Sequence, residues 1–388
     1  MDLSKKYLMN TYNRLPVALV RGRGSYVWDA DGKKYLDFFS GLAVNNLGHL
    51  PPRVLYAISK QARRLMHVSN LFYTDQQIIL ARLLVENSFG DKVFFCNSGA
   101  EANEGAVKLA RKYAKKKFGP HRFEVVTMKN SFHGRTLAMI TATGQEKYQK
   151  GFEPLMPGFK YATFGDMGSL HSVVSDATCA ILVEPIQGEG GVRFASKDYF
   201  KSLRQFCSEK GILLIFDEVQ TGLGRTGKLF GYQHFGVEPD VMTLAKALCS
   251  GLPVGAIVAR DFAAEAFEPG DHAATFGGNP LVMSAGVATL ETILKEKLCA
   301  AATEKGDYFL KELKKRLKKN ASVQEIRGLG LFLAIDIDQA ARPIVLKALE
   351  KGLLLNAVQE KTLRILPPLT VSQKEIDLGL KIIEEVLS

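Results

Sequence analysis

No stretch of about 18 uninterrupted apolar residues occurs in the 388-residue chain, which excludes a membrane-crossing helix. The opening residues, Met1-Asp2-Leu3-Ser4-Lys5-Lys6, lack the apolar core of a secretory leader. Cysteine is scarce. The five present, Cys96, Cys179, Cys207, Cys249 and Cys299, are odd in number, far apart and never arranged as CxxC. That argues against a disulfide framework and a zinc site, and it points to reduced thiols in the cytoplasm. No GxGxxG follows an early strand, and Gly22-Arg23-Gly24 lacks the third glycine. A dinucleotide-binding reading is thereby weakened. Internal repeats and low-complexity linkers are also missing.

What is present is ordinary globular composition, 46% hydrophobic and 23% charged, in a chain long enough for two subdomains around a sizeable core. The net charge of +11 has much of its excess in Lys115-Lys116-Lys117 and in Lys311 to Lys319. Both runs fall in amphipathic helical patterns with few interleaved aromatics. They read as solvated helix faces, and no nucleic-acid partner is expected. The charge can still draw anionic substrates at a distance.

Between about residue 70 and residue 290, helical periodicity alternates with short apolar runs. The runs are Val93-Phe94-Phe95, Val125-Val126-Thr127, Ala180 to Val183, Ile212 to Phe216, Val241 to Leu244 and Val254 to Val258. Continuous apolar strands imply a sheet buried on both faces, and intervening helices imply a largely parallel one. The first residues look different. Ser25 to Trp28 and Lys34 to Phe38 flank the turn signal Asp29-Ala30-Asp31-Gly32. After about residue 290, helices bracket shorter strands at Leu331 to Ile337, Leu353 to Leu355 and Leu363 to Ile365, and Ser372 with Glu375 forms a capping box for a last helix. We expect an N-terminal segment, residues 1–65, that contributes to a small domain, a large domain over residues 66–290, and a C-terminal α+β part over residues 291–388.

In an open parallel sheet, ligands bind beyond the carboxyl ends of the strands. Polar groups gather there. Asn97-Ser98-Gly99-Ala100-Glu101 follows one run, Glu184 the next, Asp217-Glu218-Val219-Gln220 another, and Lys246 another. Lys246 taken alone reads as a lysine snorkelling to the surface; opposite a strand-end aspartate that reading weakens, and desolvation would make its amine a nucleophile. Asp217 follows five consecutive apolar residues, where a carboxylate is costly unless paired. It reads as an N-cap, as a metal ligand, or as the partner of a pyridinium nitrogen in pyridoxal 5′-phosphate. No His/Cys/Asp cluster supports the metal. Ser98-Gly99-Ala100 opens a helix and could hold a phosphate on backbone N–H groups. Phe132 and Arg135, in Ser131 to Thr136, could stack on a ring and clamp a carboxylate. Arg364 stands between Leu363 and Ile365 in an apolar strand and needs an anion.

Together these blocks resemble the class III (ornithine-type) aminotransferases. The matching segments are Asn97 to Asn103, Ser131 to Thr136, Val183 to Gly191, Phe216 to Gly222, Leu244-Ala245-Lys246, Thr275 to Pro280, Gly41 to Asn45 with Gly48-His49, and Leu363 to Leu369. They occur in order and span nearly the whole chain. The resemblance implies an α/β fold, type I of the pyridoxal-phosphate enzymes: a mostly parallel central sheet with helices on both faces, plus a smaller α+β domain. It further implies a homodimer with active sites at the subunit interface.

By the same resemblance, Lys246 carries the cofactor covalently and shuttles the proton, and Asp217 pairs with the ring nitrogen. Phe132 and Val219 pack on the two ring faces, and Gln220 reaches the phenolic oxygen. Gly99 and Ala100 hold the phosphate, with Ser98 and His133 also among the cofactor-binding positions. Thr275 reaches the neighbouring subunit's phosphate. Relatives often carry Thr where this chain has Ala100, so any phosphate contact there runs through backbone. On the substrate side, Arg364 binds the α-carboxylate, Arg135 the distal carboxylate, and Glu189 masks Arg364 when an ω-amino donor enters. Within the family the chain looks nearest to the members that transfer the amino group of N-acetylornithine to 2-oxoglutarate, giving N-acetylglutamate 5-semialdehyde and glutamate in arginine synthesis. Ornithine, succinylornithine, succinyl-diaminopimelate and 4-aminobutyrate are the alternative donors, because cofactor motifs do not set pocket shape.

Overall fold

The structure is a computed structural model, and it describes residues 2–388. Its centre is a seven-stranded sheet. In chain order the strands are β1 (Lys92–Cys96), β2 (Glu124–Met128), β3 (Phe159–Ala162), β4 (Thr178–Val183), β5 (Leu213–Asp217), β6 (Val241–Leu244) and β7 (Gly255–Ala259). They lie in the spatial order β1-β7-β6-β5-β4-β2-β3. The pairs β6/β5, β5/β4, β4/β2 and β2/β3 are parallel, whereas β7 runs antiparallel to both β6 and β1. The reversal has a local cause. A parallel return needs roughly a dozen residues or more, usually with a helix, and the link from Leu244 to Gly255 holds only the short turn Lys246–Cys249.

The apolar strand runs pack as their pattern demands. Successive side chains point to opposite faces. Ile181, Val183, Leu214, Phe216, Met242 and Leu244 join one core with Phe200 and Leu203 of helix Lys197–Lys210 and Met283 and Leu290 of helix Pro280–Lys295. Ala180, Leu182, Leu213, Ile215 and Val241 join a second core with Ala102, Ala106 and Leu109 of helix Gly99–Phe118. Each large aliphatic residue so buried stabilises by about 1.5–3 kcal/mol. The sheet is therefore covered on both sides, as expected. The edge strand β3 is absent from the sequence reading; Phe159, Lys160 and Tyr161 are only half-buried and show no apolar run.

A second, four-stranded antiparallel sheet holds Val323–Leu329, Phe332–Ile337, Thr362–Ile365 and Asn356–Val358 in that order. The first and last of these also went unread in the sequence. The N-terminal hairpin Tyr26–Asp29 with Lys34–Asp37 forms where its turn signal stands, and Leu353–Leu354 pairs in parallel with its second strand. Ser372 and Glu375 cap the final helix reciprocally, as their spacing foretold. The run Lys115 to Lys117 occupies the last turn of helix Gly99–Phe118, where cations complement the helix dipole.

Candidate active site

The carboxyl ends of β1, β4, β5 and β6 meet at a cavity of about 340 Å³. Asp217, the last residue of β5, is buried and lines it. Three donors converge on its carboxylate. Val219 N donates to Oδ1 at 3.0 Å, and Asn103 Nδ2 and His133 Nδ1 both lie 2.8 Å from Oδ2. The Asn103 orientation is fixed from behind, because Thr243 Oγ1 donates to Asn103 Oδ1 at 2.7 Å. Its amide nitrogen must then face Asp217 and the His133 carbonyl. The carboxylate places the Nδ1 proton on His133, and its Nε2 is buried without a hydrogen-bond partner. Asn103 escaped the sequence reading, since its contact with Asp217 spans 114 positions.

Lys246 stands two residues beyond β6, at the start of the turn that reverses the chain, with φ of +45°. Side chains other than glycine seldom adopt that conformation, and such strain clusters at functional sites. Its amine faces the same cavity. Burial lowers the ammonium pKa; the carboxylates of Glu189, Asp217 and Glu184 oppose the shift, and the Arg364 guanidinium adds to it.

The helix Gly99–Phe118 points its N-terminus into the cavity. Ser98 caps it through Oγ, which accepts from Glu101 N at 3.1 Å, and Glu101 Oε2 reaches back to Asn97 N at 2.7 Å. The N–H groups of Gly99 and Ala100 belong to the first turn, where no intrahelical acceptor exists. Small residues are required here. A Cβ on Gly99 would sit 2.9 Å from Val219 Cγ1, and one on Gly134 would sit 2.7 Å from Ala100 Cβ.

Phe132, His133, Val219 and Gln220 also line the cavity, joined by Val44, which the sequence does not single out, and by Glu184, which it places at this rim without a role. Burial drives the Glu184 carboxyl well above the usual carboxylate range, helped by the nearby charge of Asp217. Its two oxygens accept from Phe132 N at 3.1 Å and Gly188 N at 3.3 Å, tying two wall segments together.

Behind the cavity wall at Glu189 and Gln220, Arg364 is fully buried in its strand. Its Nη1 lies 2.6 Å from Glu189 Oε1 and 3.0 Å from Gln220 Oε1. Its Nε and Nη2 donate to Asn356 Oδ1 at 3.1 and 2.6 Å, across the strand pair that sets Asn356 opposite Arg364. Burial raises the Glu189 carboxyl, but Arg364 and Lys246 outweigh it and hold the net value below the usual range. Gln220 Nε2 also reaches Glu189 at 3.4 Å, so its amide bridges this ion pair.

Three residues named from sequence stand off the cavity wall: Arg364, which lies behind the lining residues Glu189 and Gln220, and Arg135 and Thr275. Arg135 is exposed and lies over the Tyr148 ring, 4.1 Å from its centroid. Thr275 is exposed in the segment before helix Pro280–Lys295.

A sequence model of the family described as Aminotransferase class-III matches residues 7–387. The acetylornithine aminotransferase of Caldanaerobacter subterraneus subsp. tengcongensis is 56% identical over 99% of this chain and 98% of its own length. That of Methanocaldococcus jannaschii is 51% identical over 100% and 98%. Among solved structures, the ornithine aminotransferase of Toxoplasma gondii, described with partial occupancy of PLP at its active site, matches with a TM-score of 0.96 at 34% identity, covering 100% of this chain and 93% of that one. With a family match along nearly the whole chain and relatives more than half identical to it, this protein belongs to the class III aminotransferases.

Proposed function

We propose that the enzyme transfers the terminal amino group of N-acetylornithine to 2-oxoglutarate, yielding N-acetylglutamate 5-semialdehyde and glutamate, as a step of arginine synthesis. The observation that carries the substrate is the set of full-length relatives named acetylornithine aminotransferase at 46–56% identity. The cofactor is pyridoxal 5′-phosphate, and the cavity fits it. A helix N-terminus built of small residues suits the phosphate, an acid held by three donors suits a ring nitrogen, and a buried amine suits covalent attachment.

Once bound, the cofactor supplies a ring that draws electrons from the carbon losing its proton. The chain's residues do the rest. Ser98, Gly99 and Ala100 would hold the phosphate, Asp217 the ring nitrogen, and Phe132 and Val219 the ring between apolar walls. Lys246 Nζ, with its charged form disfavoured by burial, accepts and returns the proton at the reacting carbon. Arg364 binds the α-carboxylate of 2-oxoglutarate or glutamate. Glu189 neutralises Arg364 while the ω-amino donor, whose α-carboxylate lies far from its reacting amine, occupies the site. Arg135, off the wall in this structure, would have to turn inward from Tyr148 to meet a distal carboxylate.

The homodimer belongs to the same reading. Leu71, Phe72, Tyr73 and Phe276 are 89%, 62%, 97% and 62% exposed. Asn70 donates to the carbonyls of Ala274 and Gly277, at 3.0 and 2.7 Å, so this apolar group and Thr275 form one patch. A second copy seated there would bring Thr275 towards its partner's cavity. The five free thiols, four of them buried, accord with work in the cytoplasm. Among the described residues no helix is long and apolar enough to cross a membrane.

The test is a panel of kcat/KM values over N-acetylornithine, ornithine, succinylornithine, succinyl-diaminopimelate and 4-aminobutyrate, each with 2-oxoglutarate. N-acetylornithine should stand highest; a higher value for another donor contradicts the assignment.

A further inference from the structure

Glu189 sits at the tip of a small hairpin, between the paired strands Ile186–Gln187 and Arg193–Phe194. The tip is Gly188 to Val192, closed by bonds from Gly191 N and Val192 N to the Gly188 carbonyl at 3.3 and 3.4 Å. Its three glycines leave the backbone loose, and further anchors come from outside. Arg327 Nε donates to the carbonyls of Gly191 and Val192 at 3.0 and 3.1 Å, and Gly188 N is held by Glu184. The backbone of Glu189 itself has a different anchor. Gln359 Nε2 donates to the Glu189 carbonyl at 2.7 Å and to Gln145 Oε1 at 3.0 Å. Gln145 Nε2 in turn donates to the carbonyls of Asn130 and Ser131, at 3.2 and 2.9 Å, directly before Phe132.

Gln359 lies in the turn joining Asn356–Val358 to Thr362–Ile365. The same hairpin therefore grips residue 189 twice, by its carboxylate through Arg364 and by its carbonyl through Gln359. The turn is strained: Gln359 and Glu360 have φ of +46° and +58°. Two consecutive left-handed residues are the place for Asn-Gly. A long polar side chain kept there at a conformational cost implies a use for it.

We infer that Gln359 is a positioning residue for Glu189: it fixes the Glu189 backbone so that the carboxylate meets Arg364, and can leave it, by side-chain rotation alone. The inference rests on the reading of Glu189 as the mask over Arg364. Without the anchor the tip loosens and the mask weakens. Entry of the ω-amino donor suffers, while binding of α-carboxylates at Arg364 does not.

In a transamination of two half-reactions, kcat/KM for each amino substrate reports its own half. Holoenzyme of Gln359→Met should show kcat/KM for N-acetylornithine lowered about fivefold, the worth of one neutral hydrogen bond, with the value for glutamate not lowered. Gln359→Asn is a second variant. Asn tolerates the left-handed turn better and is one methylene too short to reach the carbonyl, so it should shift the ratio in the same direction in a chain that folds at least as well. In a Glu189→Ala background neither substitution should shift the ratio further. Equal losses for both substrates, or the same shift without Glu189, overturn the proposal. If the wild type prefers another ω-amino donor, that donor replaces N-acetylornithine and the same comparison decides. A ratio that Glu189→Ala alone leaves unchanged overturns the mask reading and this inference together; one moved by Glu189→Ala but not by either Gln359 variant overturns this inference alone.

Discussion

Arg364 and Glu189 meet at 2.6 Å between the strand Thr362–Ile365 and the hairpin tip at the cavity wall, with the guanidinium fully buried and the carboxylate side chain 22% exposed. One element of this pair comes from a rigid strand and the other from a glycine-rich tip. The cation is thus fixed and the anion is the part that can move. On the proposed roles of the two residues, that asymmetry would let one site accept first a substrate with no charge to place at Arg364 and then one with an α-carboxylate.

Arg364→Met should lower kcat/KM for 2-oxoglutarate by about a hundredfold, in line with truncating one member of a buried, hydrogen-bonded charge pair. The fall for N-acetylornithine should be smaller. Steady-state kinetics with each substrate varied in turn will check it, and equal losses would place Arg364 outside substrate recognition.

Asn103→Ala removes one of the two donors on Asp217 Oδ2 and leaves Thr243 Oγ1 without its acceptor. The dissociation constant of pyridoxal phosphate should rise by about tenfold, the scale of a hydrogen bond to a charged group. Equilibrium dialysis of the coenzyme measures this directly, and unchanged retention would deny Asn103 its part in holding Asp217.

Glu218, next in the chain to Asp217, gives a stability prediction. Burial pushes its carboxyl from an ordinary value of 4.5 up to about 7, against donors from Thr221, Gly231 and Tyr232 that pull it down. The folded chain keeps the proton more tightly than the unfolded one. The resulting stability is fully present below pH 4.5 and is lost as the pH rises through about 7. Glu218→Gln cannot ionise and escapes the loss. Thermal unfolding at about pH 5 and about pH 8 should show the variant gaining on the wild type by on the order of 3 kcal/mol between the two. A constant difference would contradict it.

The patch around Thr275 predicts a dimer. Leu71→Asp combined with Phe72→Asp, at positions 89% and 62% exposed in the single chain, should halve the mass in sedimentation equilibrium and weaken coenzyme retention. A wild type that sediments as a monomer contradicts the dimer.

The sequence disclosed most of the sheet because β4 to β7 are buried along their whole length, and an uninterrupted apolar run is what burial on two faces requires. Apolar runs carry no direction, so the reversal of β7 could not be read from them. Strand β3 and the strand Asn356–Val358 are partly exposed and short, and their patterns do not stand out from loop. Lys246 and Asp217 were legible as ionisable residues directly after apolar runs. Asn103 and Gln359 were not. The first is one polar residue on a helix, identified only by what the folded helix faces; the second lies in a turn, 170 positions from the carbonyl it holds. Gln220 was assigned to a cofactor oxygen by resemblance, and the structure adds that its amide also bridges Arg364 and Glu189.

On the proposed mechanism, Lys246 is the amine that carries the coenzyme. Protein loaded with pyridoxal 5′-phosphate, reduced with borohydride, digested and mapped by mass spectrometry tests it most directly. The reduced adduct should appear on Lys246 and on no other lysine, and disappear in Lys246→Ala. An adduct on a different lysine, or a chain that takes up none, contradicts it.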